Sequence, residues 1–248
     1  EKVAIMRRGV TSVLANQLPE VSEFVTNAVS KNYIPCQFQG KDWDYQIKNG
    51  EYRIKTKVRD SIFSRPILAG DHQLQNAAQA VACIDALEKF TFSKNQIEIG
   101  LLNAQWPGRL QRLAVGPLVE YLASGWELWI DGGHNGAAGS VLAKQAQIWG
   151  DKPLFVILGM IKTKNPGEFV SPLGPYLAGI NTVEIMGQES TFNSQELALL
   201  LSAKGLRAKP APSIEAAIRK FLTLSGEPAR VLICGSLYLA GQVLKDHS

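Results

Sequence analysis

The chain has 248 residues, of which 46% are hydrophobic and 19% are charged, a composition typical of a globular protein with a sizeable core. Its 26 Lys and Arg against 22 Asp and Glu give a formal net charge of +4, which is too small and too evenly spread to indicate a nucleic-acid partner. No apolar run is long enough to cross a membrane. Three histidines and three widely spaced cysteines argue against a zinc site and are typical of reduced thiols in a cytoplasmic protein.

The first 105 residues are predicted to combine short strands with three helices. The hydrophobic pattern predicts strands at 12–15, 33–38, 43–47 and 52–58, and helices at 20–30, 72–90 and 93–104. Between the last two strands, Asn49-Gly50 predicts a hairpin turn. Ser93 is the expected cap of the last helix. Because the chain opens without an initiator Met and reads like the middle of a domain, we expect it to be a fragment.

The Trp-Pro-Gly stretch at 106–108 breaks helix and strand alike, and it is predicted to link two domains, residues 1–105 and 106–248. After this linker, strands alternate with helices, a pattern that predicts an α/β domain with a doubly wound, mostly parallel sheet. The predicted strands are 109–115, 127–130, 154–159, 182–186 and 230–234, and the predicted helices are 137–149, 167–177, 194–202, 213–223 and one from 237. The first two strands are expected to pair as a hairpin.

The quintet Asp131-Gly132-Gly133-His134-Asn135 lies between a predicted strand and a predicted helix. In open α/β sheets, ligands bind where strands end and helices begin. The two glycines are expected to adopt positive φ and to let a ligand approach, and the helix N-terminus favours an anion. Alternatively, Asp131 or Asn135 merely caps the helix. A cap accounts for one polar residue but not for Asp, His and Asn together.

Further polar residues lie in comparable positions, each with a simpler alternative. Ser236 follows a strand and either caps the last helix or offers its hydroxyl at the ligand edge of the sheet. The GMIKTKN turn offers Lys162 and Lys164 to an anion. Arg109 in the linker is either solvated or reaches a phosphate. Asn76, near the start of its helix, faces solvent by default.

Common nucleotide and hydrolase motifs are absent. The sequence has no G-x-x-x-x-G-K-[ST], no G-x-G-x-x-G after a strand and no G-x-S-x-G. These absences argue against a phosphate loop in this chain, a nicotinamide-binding site and a serine hydrolase.

Several motifs together carry a family resemblance. WPGRLQ, DGGHN and GSLYLAG, with HQLQNAAQA upstream, occur in an order and at a spacing that resemble the folylpolyglutamate synthase/dihydrofolate synthase family of the Mur ligase superfamily. EKVAIMRRGV resembles the segment that closes that family's central ATPase domain. The resemblance implies that residues 1–105 are the C-terminal part of a truncated ATPase domain and that 106–248 are a Rossmann-like glutamate ligase domain. Because the family's ATPase domain begins with a phosphate loop, this chain alone is not expected to hydrolyse ATP.

The resemblance also implies which residues bind the nucleotide and the metal. Lys2 falls on the family's carbamylated lysine, whose carboxylate helps to bind Mg²⁺. Asn76 is similar to a residue that contacts the nucleotide, and Arg109 and Asp131 resemble the family's ATP-contacting pair.

Two further residues are placed by the resemblance on the reacting side of the site. His134 is expected to approach the transferring phosphate and the amino acid, and Ser236 is expected to help hold the incoming glutamate. Thr163 and Asn165 stand where acidic residues often flank the family's lysine, so no role is assigned to Lys164.

The implied activity is ATP-dependent amide ligation in folate biosynthesis. ATP would phosphorylate a carboxylate of dihydropteroate or of a folate, and the amine of L-glutamate would then attack the acyl phosphate. ATP and Mg²⁺ are the implied cofactors, the partners are small-molecule substrates, and a monomer is the family's usual state. The alternatives are a Mur ligase that builds peptidoglycan precursors and a non-catalytic nucleotide-binding remnant.

Overall fold

A computed structural model describes residues 2–68 and 70–246, apart from the side chain of Lys2. The described chain forms two compact units that divide between Gln105 and Trp106. None of the helices in these ranges combines the length and the apolar character that spanning a membrane requires.

The first unit contains, among its described residues, three α-helices and two small sheets. The helices are α1 (Pro19–Lys31), α2 (Asp71–Asp85) and α3 (Lys94–Asn103), and a 3₁₀ turn covers Lys2–Ile5. The strands β1 (Ser12–Leu14) and β2 (Cys36–Phe38) pair in parallel, whereas β3 (Asp44–Lys48), β4 (Glu51–Lys55) and β5 (Asp60–Phe63) form an antiparallel sheet. Its core packs the buried rings of Trp43, Tyr52 and Phe63 with the apolar face of α2.

Local sequence signals explain two features of this unit. Asn49 and Gly50 adopt φ of 52° and 82°, the positive values that a two-residue hairpin turn requires, and they join β3 to β4 as predicted. The Ser93 side chain accepts the backbone N–H of Gln96, whose side chain in turn accepts the Ser93 N–H. This reciprocal cap starts α3 where the sequence predicted it.

Three predicted elements of the first unit have the wrong extent. The strand predicted at 33–38 covers only Cys36–Phe38, and Tyr33, with φ of 54°, lies outside the strand conformation. The strand predicted at 52–58 ends at Lys55, because the Thr56 N–H bonds to the Arg59 carbonyl at 2.7 Å and turns the chain back into β5, which was not predicted. The helix predicted to reach residue 90 ends at Asp85. Beyond that point Leu87 is 48% exposed, so a longer helix would gain little stabilisation from tertiary packing.

The second unit is an α/β domain built on one six-stranded sheet within its described residues. The strands are β6 (Gln111–Leu113), β7 (Glu127–Asp131), β8 (Leu154–Leu158), β9 (Leu177–Thr182), β10 (Ala208–Pro210) and β11 (Arg230–Cys234). The helices are α4 (Pro117–Glu120), α5 (Gly136–Ile148), α6 (Pro166–Val170), α7 (Ser194–Ser202), α8 (Ile214–Leu224) and α9 (Leu237–Lys245).

The sheet confirms the predicted fold class. Its strand order is β10-β9-β8-β11-β7-β6, and every pair is parallel except β6 with β7. All five residues of β8 and all five of β11 are buried, as expected for central strands covered on both faces. The return of the chain to place β11 between β7 and β8 is the crossover that makes the sheet doubly wound.

The structure corrects three predictions for this unit and adds one strand. The strand predicted at 109–115 covers only Gln111–Leu113, since Leu110 with φ of 42° lies outside the strand conformation. The strand predicted at 182–186 is wrong, since β9 covers Leu177–Thr182. Val183 and Ile185 are 2% and 1% exposed, and this buried alternation beyond the strand produced the false signal. The helix predicted at 167–177 shortens to α6, and β10 was not predicted. The strand β9 was not predicted because it contains Gly179, and glycine is a poor strand former. A Cβ at this position would lie 3.2 Å from the Phe155 ring, so the close packing of β9 on β8 favours glycine.

Candidate functional site

Four parallel strands of the second unit end in the same row. The register pairs Cys234 of β11 with Asp131 of β7 on one side and with Leu158 of β8 on the other, and Leu158 pairs with Thr182 of β9. The turns after these strands therefore leave the sheet at one edge. The turns after β7, β8 and β11, which the sequence had singled out, are together called the carboxyl edge below.

Asp131 lies at this edge and is only 6% exposed. Its Oδ2 accepts the backbone N–H of Leu110 at 2.8 Å, and its Oδ1 accepts the backbone N–H of Gly133 at 2.6 Å. Beside it, the Gly132 N–H donates to the Gly108 carbonyl at 2.7 Å. The carboxylate thus joins the linker turn to the turn after β7, and it does not cap α5.

The linker turn holds Arg109 between two residues of unusual backbone conformation. Gly108 has φ of 70° and Leu110 has φ of 42°. For a non-glycine residue this conformation costs roughly 1–2 kcal/mol, yet Leu110 is 2% exposed and firmly packed. The Arg109 guanidinium lies 5.7 Å from the centre of the Trp106 ring, and no described carboxylate forms an ion pair with it. Its positive charge is therefore available to an anion.

His134 and Asn135 have separate local roles in the same turn. The His134 Nδ1 lies 2.9 Å from the Gly132 carbonyl; because that oxygen can only accept, Nδ1 carries a hydrogen. The Nε2 atom makes no hydrogen bond with any described residue, so it is free for a ligand. The Asn135 side chain accepts the Ala138 N–H at 2.9 Å and caps α5. The capping alternative thus holds for Asn135 and not for Asp131.

The expectation that Gly132 and Gly133 adopt positive φ is wrong, since neither is among the glycines in that region. Both are instead required by close neighbours. A Cβ on Gly132 would lie 2.3 Å from the Leu237 side chain, and one on Gly133 would lie 2.7 Å from Asp131 Oδ1 and 2.9 Å from Ala138 Cβ. The glycines let two turns and a helix start meet within van der Waals distance.

The turn after β11 packs directly on the turn after β7. The Gly235 N–H donates to the Gly133 carbonyl at 3.1 Å, and Gly235 has φ of 105°, where a side chain is strained. The Ser236 side chain accepts the Tyr238 N–H at 3.1 Å, so Ser236 caps α9, and it is 3% exposed. The cap predicted for Ser236 is therefore present, and a hydroxyl that accepts this bond still has a hydrogen to donate.

The turn after β8 contributes its two lysines unequally. The Lys162 Nζ lies 3.1 Å from a carboxylate oxygen of Glu196 and 6.0 Å from the centre of the Phe192 ring. Lys164 forms no ion pair with a described residue. Of the two, Lys164 is therefore the one whose charge is uncompensated at this edge.

The remaining predicted site residues belong to the first unit. Asn76 is exposed on α2, where its side-chain amide donates to the Gln73 side chain at 3.1 Å. The side chain of Lys2 lies outside the described part of the chain. No group of three or more His, Cys, Asp or Glu within the described ranges is placed to hold a metal ion.

Cys234, the last residue of β11, is a neutral thiol in the core of the second unit. Burial, with a smaller contribution from Asp131, raises the pKa of Cys234 well above its usual value.

Sequence reasoning missed the connection between the linker and the turn after β7. Nothing in the pattern links Asp131 to Leu110, 21 positions away. Gln111 was likewise passed over, although its side-chain oxygen accepts the Gly108 N–H at 2.9 Å and supports the same turn. The contact of Asp131 with Leu110 follows the antiparallel register of β6 on β7, which a sequence does not display, whereas the contact of Gln111 with Gly108 is local to the linker turn.

Comparison with known proteins places this unit in a family. Residues 108–237, just over half of the chain, match the family described as Mur ligase, glutamate ligase domain. The match lies wholly within the second unit and includes all three turns of the carboxyl edge.

Similar proteins and structures cover nearly the whole chain. The dihydrofolate synthetase of Saccharomyces cerevisiae is 26% identical over 100% of this chain and 60% of its own length, and the dihydrofolate synthase/folylpolyglutamate synthase of Bacillus subtilis is 26% identical over 99% and 56%. The chain thus spans little more than half the length of these relatives. Among solved structures, the folylpolyglutamate synthase of Mycobacterium tuberculosis complexed with ADP and AMPPCP matches with a TM-score of 0.82 at 21% identity, over 98% of this chain and 57% of that one.

The carboxyl edge of a doubly wound sheet, its three polar turns and the family match agree with one another. The chain belongs to the Mur ligase family and carries that family's glutamate ligase domain at residues 108–237.

Proposed function

We propose that the protein is an ATP-dependent amide ligase that adds L-glutamate to folates or to dihydropteroate through an acyl phosphate. The observation that carries this proposal is the convergence of Arg109, His134 and Ser236 at one sheet edge, the position at which α/β domains bind ligands. The curated relatives are named as dihydrofolate and folylpolyglutamate synthases, which favours folates over peptidoglycan precursors. We further propose that the protein acts as a monomer in the cytoplasm, where its free cysteines would stay reduced.

The charges at the edge suit the first step, transfer of the γ-phosphoryl group to a carboxylate. Arg109 has no carboxylate partner among the described residues, and a planar guanidinium binds phosphate oxygens in bidentate fashion. The N-terminus of α5 lies two residues after His134 and adds a positive dipole on the same side. We assign Arg109 to the nucleotide phosphates, and Asn76 on α2 to the nucleotide as well.

The second step is attack of the glutamate amine on the acyl phosphate, which forms the amide and releases phosphate. His134 offers a free Nε2 atom that can accept a proton from the attacking amine or hydrogen-bond to the substrate. We assign the Ser236 hydroxyl hydrogen and the N-terminus of α9 to the carboxylates of the incoming glutamate.

We propose Mg²⁺ as the companion of ATP, with Lys2 as its candidate protein ligand. Among the described residues, no group of three or more His, Cys, Asp or Glu is placed to hold the ion. Magnesium commonly binds through substrate phosphates with few protein ligands, and none of the roles assigned above depends on where it lies.

Calorimetric titration with ATP and Mg²⁺ tests the nucleotide assignment. We expect saturable binding, weakened about tenfold or more in Arg109→Ala because a hydrogen bond to a charged group contributes about 1.5–3 kcal/mol. Arg112→Ala is the matched control, since Arg112 lies on β6 with an exposed side chain. Absence of ATP binding, or equal affinity in wild type and Arg109→Ala, would contradict the assignment.

Thermal shift with amino acids tests the glutamate assignment. We expect L-glutamate to raise the melting temperature of the wild type and D-glutamate to leave it unchanged. In Ser236→Ala the melting temperature falls through loss of the cap, and the further shift with L-glutamate disappears. A shift of equal size in Ser236→Ala would remove Ser236 from the site.

A further inference from the structure

We propose that Thr191 is a positioning residue, which holds the turn after β8 in place and thereby fixes where Lys164 presents its charge at the carboxyl edge. The inference rests on the proposed function of this edge as a ligand site. It adds to that function a residue outside the three turns, on the stretch of chain that connects β9 to α7.

The first support is a backbone bridge between this stretch and the turn after β8. Residues 190–192, called the bridging segment below, run antiparallel to the turn, where Ile161 pairs with Thr191. Beside this pair, the Lys162 N–H donates to the Ser190 carbonyl at 2.7 Å. The turn is therefore held by a partner that follows a different strand.

The second support is the place of the Thr191 hydroxyl at the centre of this bridge. Its Oγ1 atom lies 3.2 Å from the carbonyl oxygens of Met160 and Phe192, to which its one hydrogen is available, and it accepts the Ile185 N–H at 3.3 Å. The residue is buried, with 7% of its surface exposed. Loss of the hydroxyl would therefore leave the buried Ile185 N–H without this acceptor and would weaken the bridge.

The third support is the short connection between the bridge and Lys164. The Lys164 N–H donates to the Ile161 carbonyl at 3.1 Å, so the lysine is bonded directly to the residue that pairs with Thr191. On its other side, Asn165 caps α6 and accepts the Glu168 N–H at 3.3 Å. The backbone of Lys164 is thus fixed from both sides, while its side chain forms no ion pair with a described residue.

The bridging segment also accounts for the difference between the two lysines of the turn. Lys162 has its Nζ atom 3.1 Å from a Glu196 carboxylate oxygen and 6.0 Å from the centre of the Phe192 ring. The Phe192 N–H in turn donates to the Met160 carbonyl at 3.0 Å. The contacts of Lys162 therefore lie with the bridging segment and α7, and Lys164 is the uncompensated cation of the turn.

Two substitutions at position 191 separate the hydroxyl from the rest of the side chain. Thr191→Val keeps the size of the side chain and removes the hydroxyl, whereas Thr191→Ser keeps the hydroxyl. Thr223→Val is the matched control, because the exposed Thr223 on α8 bonds through its hydroxyl to the Lys220 carbonyl at 2.8 Å. All variants are compared well below their melting temperatures.

The first experiment needs no ligand and does not depend on the proposed function. Relaxation of backbone ¹⁵N nuclei measures the order parameters of Lys162 and Lys164, with residues 155–157 of β8 as the internal reference. We expect rigid values of about 0.85 in the wild type, Thr191→Ser and Thr223→Val, and a fall toward about 0.6 at both lysines in Thr191→Val. Unchanged order at Lys164 in Thr191→Val, or the same fall in Thr191→Ser, would overturn the proposal.

The second experiment tests whether Thr191 affects ligands through Lys164. NMR titrations with L-glutamate and, separately, with ATP and Mg²⁺ are compared in Thr191→Val, Lys164→Met and the double variant. We expect Lys164→Met to weaken one of the two ligands about tenfold and Thr191→Val to weaken the same ligand by a smaller factor. The double variant should bind no more weakly than Lys164→Met, because the two changes remove one contribution.

Additive losses in the double variant would overturn the proposal, since a residue that only stabilises the fold acts independently of Lys164. Full affinity for both ligands in either single variant would do the same. If the wild type binds neither ligand, the proposed function fails, and the relaxation experiment still decides whether Thr191 fixes the turn.

Thr191→Ala repeats both experiments in case Thr191→Val does not fold, because it removes the hydroxyl without placing a methyl group there. We expect the same fall in order at Lys164 and the same lack of additivity with Lys164→Met. If neither variant folds while Thr191→Ser does, the hydroxyl is required for stability, and the positioning role is overturned.

Discussion

Charged side chains are paired differently at the two ends of the parallel sheet in the second unit. At the amino end, the buried Arg230 forms ion pairs with Glu127 at 2.8 Å and with Asp151 at 2.6 Å. At the carboxyl end, Arg109 pairs with no described carboxylate, and Asp131 accepts from backbone N–H groups. At the amino end the charged side chains pair with one another. At the carboxyl end the Arg109 cation has no described carboxylate partner, and the Asp131 carboxylate binds backbone N–H groups.

We interpret this difference as a division of roles, with the amino end contributing to stability and the carboxyl end to ligand binding. Burial raises the pKa of Glu127, but hydrogen bonds from Lys152, Trp129 and Arg230 outweigh it and lower the pKa to about 2. Such a compensated network at the amino end is expected to hold the fold together. Uncompensated charge at the carboxyl end is instead a feature of ligand sites.

The largest expected effect comes from breaking the network at the amino end. Arg230→Met removes a buried guanidinium that pairs with both Glu127 and Asp151, and Glu127 keeps only Lys152 as a cation partner among the described residues. Losing one member of a buried ion pair typically costs about 3–5 kcal/mol, and urea unfolding measures the loss. Arg53→Met is the control, because Arg53 and Asp60 form an exposed pair at 2.6 Å and exposed pairs contribute about 0–1 kcal/mol. Equal losses in the two variants would contradict the contrast between a buried network and a surface pair.

A somewhat smaller loss is expected from a change at the carboxyl end. In Gly235→Ala the new Cβ would lie 2.7 Å from the Gly159 carbonyl oxygen, in a backbone conformation with φ of 105°, and strain with overpacking should cost about 2–4 kcal/mol. Gly241→Ala in α9, where no atom lies within 4 Å of the added Cβ, should instead stabilise by about 0.5–1 kcal/mol. Equal shifts of the urea midpoint in Gly235→Ala and Gly241→Ala would contradict the close packing around Gly235.

Acid should weaken the ion pairs at the amino end of the sheet. The pKa of Glu127 falls from its ordinary value of 4.5 to about 2 on folding, so its contribution to stability is complete above pH 4.5 and is lost as the pH falls toward 2. The loss should be smaller than in Arg230→Met, because Asp151 also pairs with Arg230. As the pH falls from 4.5 to 2, the free energy of unfolding should decrease less steeply in Glu127→Gln than in the wild type. An identical pH dependence in the two proteins would argue against a stabilising ion pair between Glu127 and Arg230.

The smallest expected effect concerns the helix cap at the carboxyl edge. Asn135→Ala removes the acceptor of the Ala138 N–H and should cost about 1 kcal/mol. Ser140→Ala, an exposed change within α5, should remain within about 0.5 kcal/mol. Thermal unfolding of both variants compares them, and a neutral Asn135→Ala would show that the cap is replaceable by solvent.

The sequence predicted those features that are encoded locally. The strand at 230–234 and the helix at 194–202 match the structure residue for residue, because an apolar run and a capped amphipathic segment each carry their own signal. The strand β9 was missed because Gly179 and Asn181 are poor strand formers, and its place is decided by packing with Phe155 of β8. The family resemblance placed the second unit among the glutamate ligase domains of Mur ligases, and the family match confirms this.

The candidate site could be predicted in its composition but not in its internal contacts. The three polar turns followed from the α/β pattern, since parallel strands end at one edge. Which partners Asp131 has, and why Gly132 and Gly133 are glycines, depend on the linker turn and the start of α9 coming together in space. Lys2 lies outside the described side chains, and the identification of residues 1–105 as the end of an ATPase domain stays a prediction.

Backbone amide NMR during titration with ATP and Mg²⁺ tests the central claim, that ligands bind at the carboxyl edge, most directly. We predict saturable shifts concentrated on Arg109, on residues 132–137 and on residues 235–238, with the amino-end residues 149–153 unaffected. Shifts centred on the amino end, or no saturable shift anywhere in the second unit, would contradict the account.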